Sequence, residues 1–366
     1  MRTEISDRQL DAAFFVLLLS PALRLFPSFA AQSAGKAAPL AALLAFFPAA
    51  GYLFLVLRAA ALRREGEGLG ELLLRAAPGR GGRFVLSLLG AWLLVYAGFV
   101  LRSGADRFIV TVYPDTPAAF FVLTMAAAAL AAAFAPLRGA ARCARLFLPP
   151  VALVLALVLG AALPRLRREN LLPLGPSAFG GLFVGTLGAL DVLVWAVGAL
   201  CLLLPETKKG AASFGRLLRP LAAGSLLLAL LGLCLVGCFG APLTGELSWP
   251  FFSLVRSLVF FRSVERIEAL VVALWIFPDF LIAALFLRAA RRALSLTLAR
   301  RLPLLADGRL ALPLCAAAAA AFALLAAPDA ASLARWSRLY IPAANLFFSL
   351  VLVPGVLFAG KRRRRI

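Results

Sequence analysis

The sequence predicts an all-α polytopic membrane protein of about ten transmembrane helices, and three observations carry that expectation. Apolar residues fill 63% of the 366 positions and charged residues 15%, with a mean hydropathy of +0.96. Soluble domains average about 45–50% and 25%. Runs at 40–57, 84–101, 146–163, 221–239 and 339–359 are the plainest of several that suit the ~20 residues needed to cross a ~30 Å hydrocarbon layer. Finally, the basic residues behind the net charge of +21 crowd into alternate loops: 58–83, 138–145, 208–219, 288–309 and the tail "KRRRRI".

That alternation follows the positive-inside rule and places both termini in the cytoplasm. The loop "RLRREN" at 165–170 is the one basic loop on the other side. A charge spread this way faces anionic lipid headgroups, not nucleic acid. Ten spans follow, at about 9–30, 38–58, 84–110, 117–135, 146–163, 178–204, 217–239, 266–288, 302–327 and 339–360. They form a single membrane domain over 1–366, with 361–366 as a basic cytoplasmic tail. The first run is a retained helix, because Glu4, Asp7 and Asp11 give it an acidic head that a signal peptide would lack. The loop at 58–83 is charged and amphipathic and reads as lying on the membrane surface. The segment at 241–265 reads as a short helix over the outer mouth.

Ten spans divide into two repeats of five, about 9–163 and 178–360. Inverted-repeat transporters break one helix in each half to expose backbone groups to a ligand. Span one is weakened at Ser20, Pro21 and Ala22, ~15 Å along from Leu10. Span six is weakened by Gly180, Gly181, Gly185 and Gly188, just before Asp191. Broken helices 1 and 6 are therefore expected, although proline and glycine also kink helices that merely pack.

An acid in the bilayer normally points into the bundle or a wet cavity. Asp191 has three open roles: pairing with a ligand ammonium, carrying a proton, or capping a broken helix. Asp279 follows Pro278 and shares a helical face with Ile282, Ala283 and Phe286. It is either a ligand-facing group or a neutral acid steadying a proline kink. Tyr96, Phe99, Val100 and Ser103 form one face of span three, as pocket wall or as packing. Arg102 and Asp106, four apart, read as a structural pair near the outer interface. Arg24 faces either a ligand carboxylate or a headgroup.

Catalysis has no residues to work with. The chain has no histidine, so a zinc or haem site lacks its usual ligand. Its five cysteines fall in or beside apolar runs, and no glycine-rich phosphate loop precedes a helix. No enzyme activity and no cofactor are expected.

Several motifs, in order, resemble the spore germination permease family, the B-type subunits of germinant receptors in the amino acid–polyamine–organocation superfamily. They are "ISDRQL" at Ile5, "LFPS" at Leu25, "YPDTP" at Tyr113, "NLLPL" at Asn170, "GALDVLVW" at Gly188, "LLPETKK", "WPFFSLVRS" and "VERIEALVVALW". This chain departs from the family pattern at Ser20, where glycine is usual, at Asp191, where glutamate is usual, and at Glu268, where aspartate is commoner. The resemblance implies two inverted five-helix repeats and a midplane pocket for a small amino-acid-type germinant. It also implies a larger A subunit and a lipoprotein C subunit as partners in the inner membrane of an endospore. The candidate ligand-binding set is Ser20, Pro21, Ala22, Tyr96, Phe99, Val100, Gly185, Gly188, Asp191, Asp279, Ile282 and Ala283. An active amino acid permease of the same fold is the alternative, and a receptor scaffold a third class. Familiar coupling lacks its residues: 267–293 holds no Ser or Thr for sodium, and 146–163 no lysine for a proton relay.

The charge pattern makes a direct prediction. In a background without native cysteines, single cysteines at Arg64 and Lys361 will label only from the cytoplasm, and those at Asp115 and Glu246 only from outside. External labelling at Arg64 would overturn the orientation.

Overall fold

The computed structural model describes residues 5–62, 67–200, 202–203, 213–258, 267–299, 302–305, 307–352 and 354–355. The loop around Arg64, the basic stretch 208–212, the tail 361–366 and the side chain of Glu268 lie outside the described residues.

Among the described residues every regular element is a helix. Helix α1 (Asp7–Ala34) opens at Ser6, whose N–H donates to Gln9 Oε1 at 2.9 Å. It ends where Gly35, at φ 57°, returns its N–H to the Ala31 carbonyl. A short 3-10 turn leads into α2 (Ala38–Ala60). Together these form a continuous apolar stretch of 54 residues. At 1.5 Å per residue that is about 80 Å, enough for two crossings. The short α3 (Leu69–Ala76) precedes α4 (Arg80–Thr111), α5 (Ala118–Phe134) and α6 (Leu137–Ala162). A one-turn α7 (Arg168–Leu171) then leads into α8 (Pro176–Leu200) and α9 (Phe214–Phe239). Two short helices, α10 (Ala241–Glu246) and α11 (Pro250–Ser257), come before α12 (Ile267–Leu298) and α13 (Gly308–Leu325). The last leg runs through α14 (Ala330–Arg335) and α15 (Ile341–Leu346), with π-helical turns at Trp336–Tyr340 and Phe347–Leu352. Ten legs are thus present among the described residues: α1, α2, α4, α5, α6, α8, α9, α12, α13 and the α14–α15 leg.

Their packing follows a simple order. α1 lies on α8, α2 on α9, α4 on α12 and α5 on α13. Each of the first four spans therefore meets the span five places later.

Three expectations change on contact with the structure. Helices 1 and 6 are not broken: α1 stays helical through Ser20–Pro21, and α8 through Gly180 to Gly188. Pro21 removes one donor from the ladder, but Ser20, Pro21 and Ala22 are buried on all sides and the bundle holds the helix in shape. The last leg starts at Ala330, nine residues before its expected start. Asp329 caps it, accepting from the Ser332 N–H at 2.7 Å. A 109° bend at 326–329 separates it from α13. Finally, the segment after α9 forms two short helices, with Trp249, Phe251 and Phe252 buried against the bundle.

Small residues set the spacing between legs, as they do wherever membrane helices approach closely. A Cβ on Gly181 would run into the Ser33 carbonyl of α1, whereas one on Gly51 would meet nothing within 4 Å. Gly181→Ala should therefore cost about 1–3 kcal/mol through forced separation of α1 and α8. Gly51→Ala should be neutral or better. Thermal unfolding of the detergent-solubilised pair checks this, and equal midpoints would contradict it.

Candidate functional site

Two buried polar clusters occupy the middle of the bundle. The first is built around Asp279 on α12, which is 0% exposed. Its carboxylate accepts from Arg107 Nη2 on α4 and from Ser20 Oγ on α1. Three spans are therefore pinned at one point. The guanidinium of Arg107 also lies 5.4 Å from the Trp249 ring and 5.5 Å from Phe252, within cation–π range. Trp249 is shared: Arg24 Cζ sits 4.6 Å from its centroid, and its Nε1 donates to Asp106 Oδ2 at 2.9 Å.

Arg24 donates through Nε to Ser337 Oγ and through Nη1 to the Ser248 carbonyl, both at 3.0 Å, and lies 3.7 Å from Asp106. Arg102 donates to the carbonyls of Ala327 at 2.7 Å and Pro328 at 3.2 Å, at the bend between α13 and α14. Its distance to Asp106 is 3.8 Å. The expected i,i+4 pair is present, and both of its side chains are buried in the bundle. Arg102 is 4% exposed, because the bend folds over it and supplies carbonyls where water was expected. This first cluster holds Arg24, Arg102 and Arg107 against Asp106 and Asp279, an excess of one positive charge. Arg107 Nε makes no hydrogen bond among the described residues.

The second cluster surrounds Asp191 on α8, also 0% exposed. Neither of its oxygens finds a hydrogen-bond partner among the described residues. The same is true of Tyr96 Oη on α4, Asn345 Nδ2 on α15 and Trp195 Nε1 on α8. Asn345 approaches both Asp191 and Tyr96 without completing a bond through its amide nitrogen, while its oxygen accepts from Trp92 Nε1 at 3.3 Å. Aromatic rings close the cluster. Tyr96 lies 5.0 Å from Trp195 and 5.2 Å from Phe286, and Trp92 stacks on Phe348. Buried polar atoms are nearly always paired, so three side chains with unpaired atoms beside one unpaired carboxylate form an unusual concentration. Tyr96 and Phe286 stand on α4 and α12, the helices that carry Arg107 and Asp279, so the two clusters share those spans.

The sequence-derived candidates divide accordingly. Ser20, Tyr96, Asp191 and Asp279 belong to the two clusters. Phe99 packs 6.0 Å from Tyr96, and Val100, Ile282 and Ala283 are buried core. Pro21 and Ala22 are buried within an intact helix. Gly185 and Gly188 serve close packing instead: a Cβ on Gly185 would stand 2.7 Å from Ala34 Cβ, and one on Gly188 would strike the Phe29 ring. With α8 unbroken and its oxygens accepting nothing, Asp191 caps no helix. The sequence reading missed Trp249, Asn345 and the ion-pair role of Arg107. Asn345 carried a readable signal, being one of only two asparagines and lying inside an apolar run. The Arg107–Asp279 pairing, 172 residues apart, carried none.

A family model described as spore germination protein matches residues 9–321. Among solved structures, the fold is similar to that of Mhp1, a nucleobase-cation-symport-1 family transporter, in a closed conformation with bromovinylhydantoin bound. The TM-score is 0.65 at 16% identity, covering 99% of this chain and 80% of that one. That likeness establishes the fold, an all-helical transporter type with inverted repeats. No curated protein matches the chain.

The Arg107–Asp279 pair yields a stability prediction. Arg107→Met strands a buried carboxylate and should cost about 3–5 kcal/mol, whereas the double variant Arg107→Met/Asp279→Leu should recover most of it. Thermal unfolding in detergent reads both. A single variant as stable as the parent would refute the pairing.

Proposed function

The chain belongs to the spore germination permease family, and we propose that it is the membrane subunit of a germinant receptor that takes a small amino-acid-type germinant at the centre of the bundle. The observation that carries this reading is the Asp191 cluster. A fully buried carboxylate with two unpaired oxygens, walled by Tyr96, Trp195 and Phe286, suits an ammonium group. Carboxylate and aromatic faces both attract a cation, and more strongly away from water.

The ligand's carboxylate goes to Arg107, which belongs to the cluster with excess positive charge and keeps a buried N–H unpaired. This replaces the helix-end amides expected from broken spans, since α1 and α8 are intact there. A carboxylate arriving at Arg107 competes with Asp279 and so loosens the tie between α1, α4 and α12. In this account partner subunits, a larger A subunit and a lipoprotein C subunit, read that shift between two states of the bundle. The α3 face lies in the cytoplasm and the α10–α11 face outside, as the basic loops require. The membrane is the inner membrane of an endospore.

An active amino acid permease is the second reading, favoured by the likeness to a transporter. Uptake of radiolabelled amino acids into vesicles separates the two.

The test of the leading reading is substitution at Asp191. Asp191→Asn keeps the shape and removes the charge, so the protein should fold as the parent does. It should bind amino acids more weakly by about 1.5–3 kcal/mol, a ten- to hundredfold rise in Kd. Analogues lacking the amine should bind both forms alike. Parent-like amino acid affinity in Asp191→Asn would remove the ammonium role.

A further inference from the structure

On the α3 face, away from both clusters, a cavity of about 120 Å³ lies between the start of α3, α4 and α12. That volume holds a phosphate group with several waters. Its walls include Gly68, Leu86, Leu93, Arg288, Arg291 and Arg292, and the three charged side chains lining it are all arginines. They sit at i, i+3 and i+4 on one helix face, where like charges repel unless something answers them.

Two of the three are answered. Arg292 donates through Nε and Nη2 to Glu71 Oε1, at 3.0 and 2.7 Å, latching α3 onto α12. Arg288 donates to the carbonyls of Ala133 and Ala135 at the end of α5, where a helix dipole favours a cation. Arg291 makes no hydrogen bond or ion pair among the described residues. Leucines in the same lining make the cavity amphipathic.

We propose that this cavity is an oxyanion site that takes a phosphate group, with Arg291 as its principal donor and Arg288 beside it. Guanidinium forks match phosphate oxygens in pairs. The phosphate comes either from an anionic lipid headgroup, whose acyl chains the leucines would contact, or from the free ion. The site stands independently of the germinant reading.

The experiment uses the full chain, delipidated in detergent, and follows its thermal unfolding midpoint. One arm titrates phosphatidylglycerol against phosphatidylcholine in mixed micelles. The other titrates inorganic phosphate against chloride at equal ionic strength. A saturable rise with phosphatidylglycerol alone assigns the headgroup, and a rise with inorganic phosphate assigns the free ion. Either result supports the site if Arg291→Gln raises the half-saturating concentration by roughly tenfold, the loss of one charged hydrogen bond. Arg291→Lys keeps the charge and should fall between the parent and Arg291→Gln, which separates binding from folding. Arg256→Gln, the same charge change at an exposed position of α11, should titrate as the parent does. No specific rise in either arm, or an Arg291→Gln protein that titrates like Arg256→Gln, overturns the proposal.

Discussion

An ion pair enclosed by membrane-spanning helices persists only where each charge is answered at once, and Arg107 with Asp279 imposes that condition here. Removing two charges from water costs several kcal/mol per ion after relaxation, so the partners must be held in contact. Holding them fixes α4 against α12, and the Ser20 hydroxyl brings α1 to the same point. The surrounding charges obey the same rule. Asp106 is met by Arg24, Arg102 and the Trp249 indole, and the Arg102 guanidinium by carbonyls at a helix bend. The covering helices α10 and α11 are thereby tied to the core through Trp249.

Packing does the rest. Lipid is as apolar as leucine, so membrane helices gain little from burying apolar surface against each other and associate through close contact. Alanine and glycine provide it. Ala311, Ala319 and Ala323 on α13 are buried completely, and a Cβ on Gly98 would strike the Ala319 carbonyl. Gly181, Gly185 and Gly188, which looked like weak points in a ligand-binding helix, are contact points between α8 and α1. Local flexibility and close approach use the same residue, and only the neighbouring chain tells them apart.

That ambiguity marks what the sequence could and could not say. Span number, loop order and the family were legible, because hydropathy and motif order are properties of one strand of text. Asp191 stood out for its isolation among apolar residues, and it is buried as expected. The partners of Asp279 and Arg24 were not legible, since Arg107 and Ser337 reach them across 172 and 313 residues. Breaks at Ser20–Pro21 and Gly180–Gly188 were over-read. One missing donor, or a few flexible residues, does not open a helix that is packed along its length.

The proposed site joins these threads: a carboxylate the bundle leaves unpaired lies beside a charge network that pins its spans together. Locating the bound ligand tests this most directly. A photoreactive diazirine amino acid, cross-linked to the purified protein and displaced by excess free amino acid, should label peptides covering residues 92–103 and 185–198. Displaceable labelling confined to α10–α11, or to the α3 face, would contradict the account.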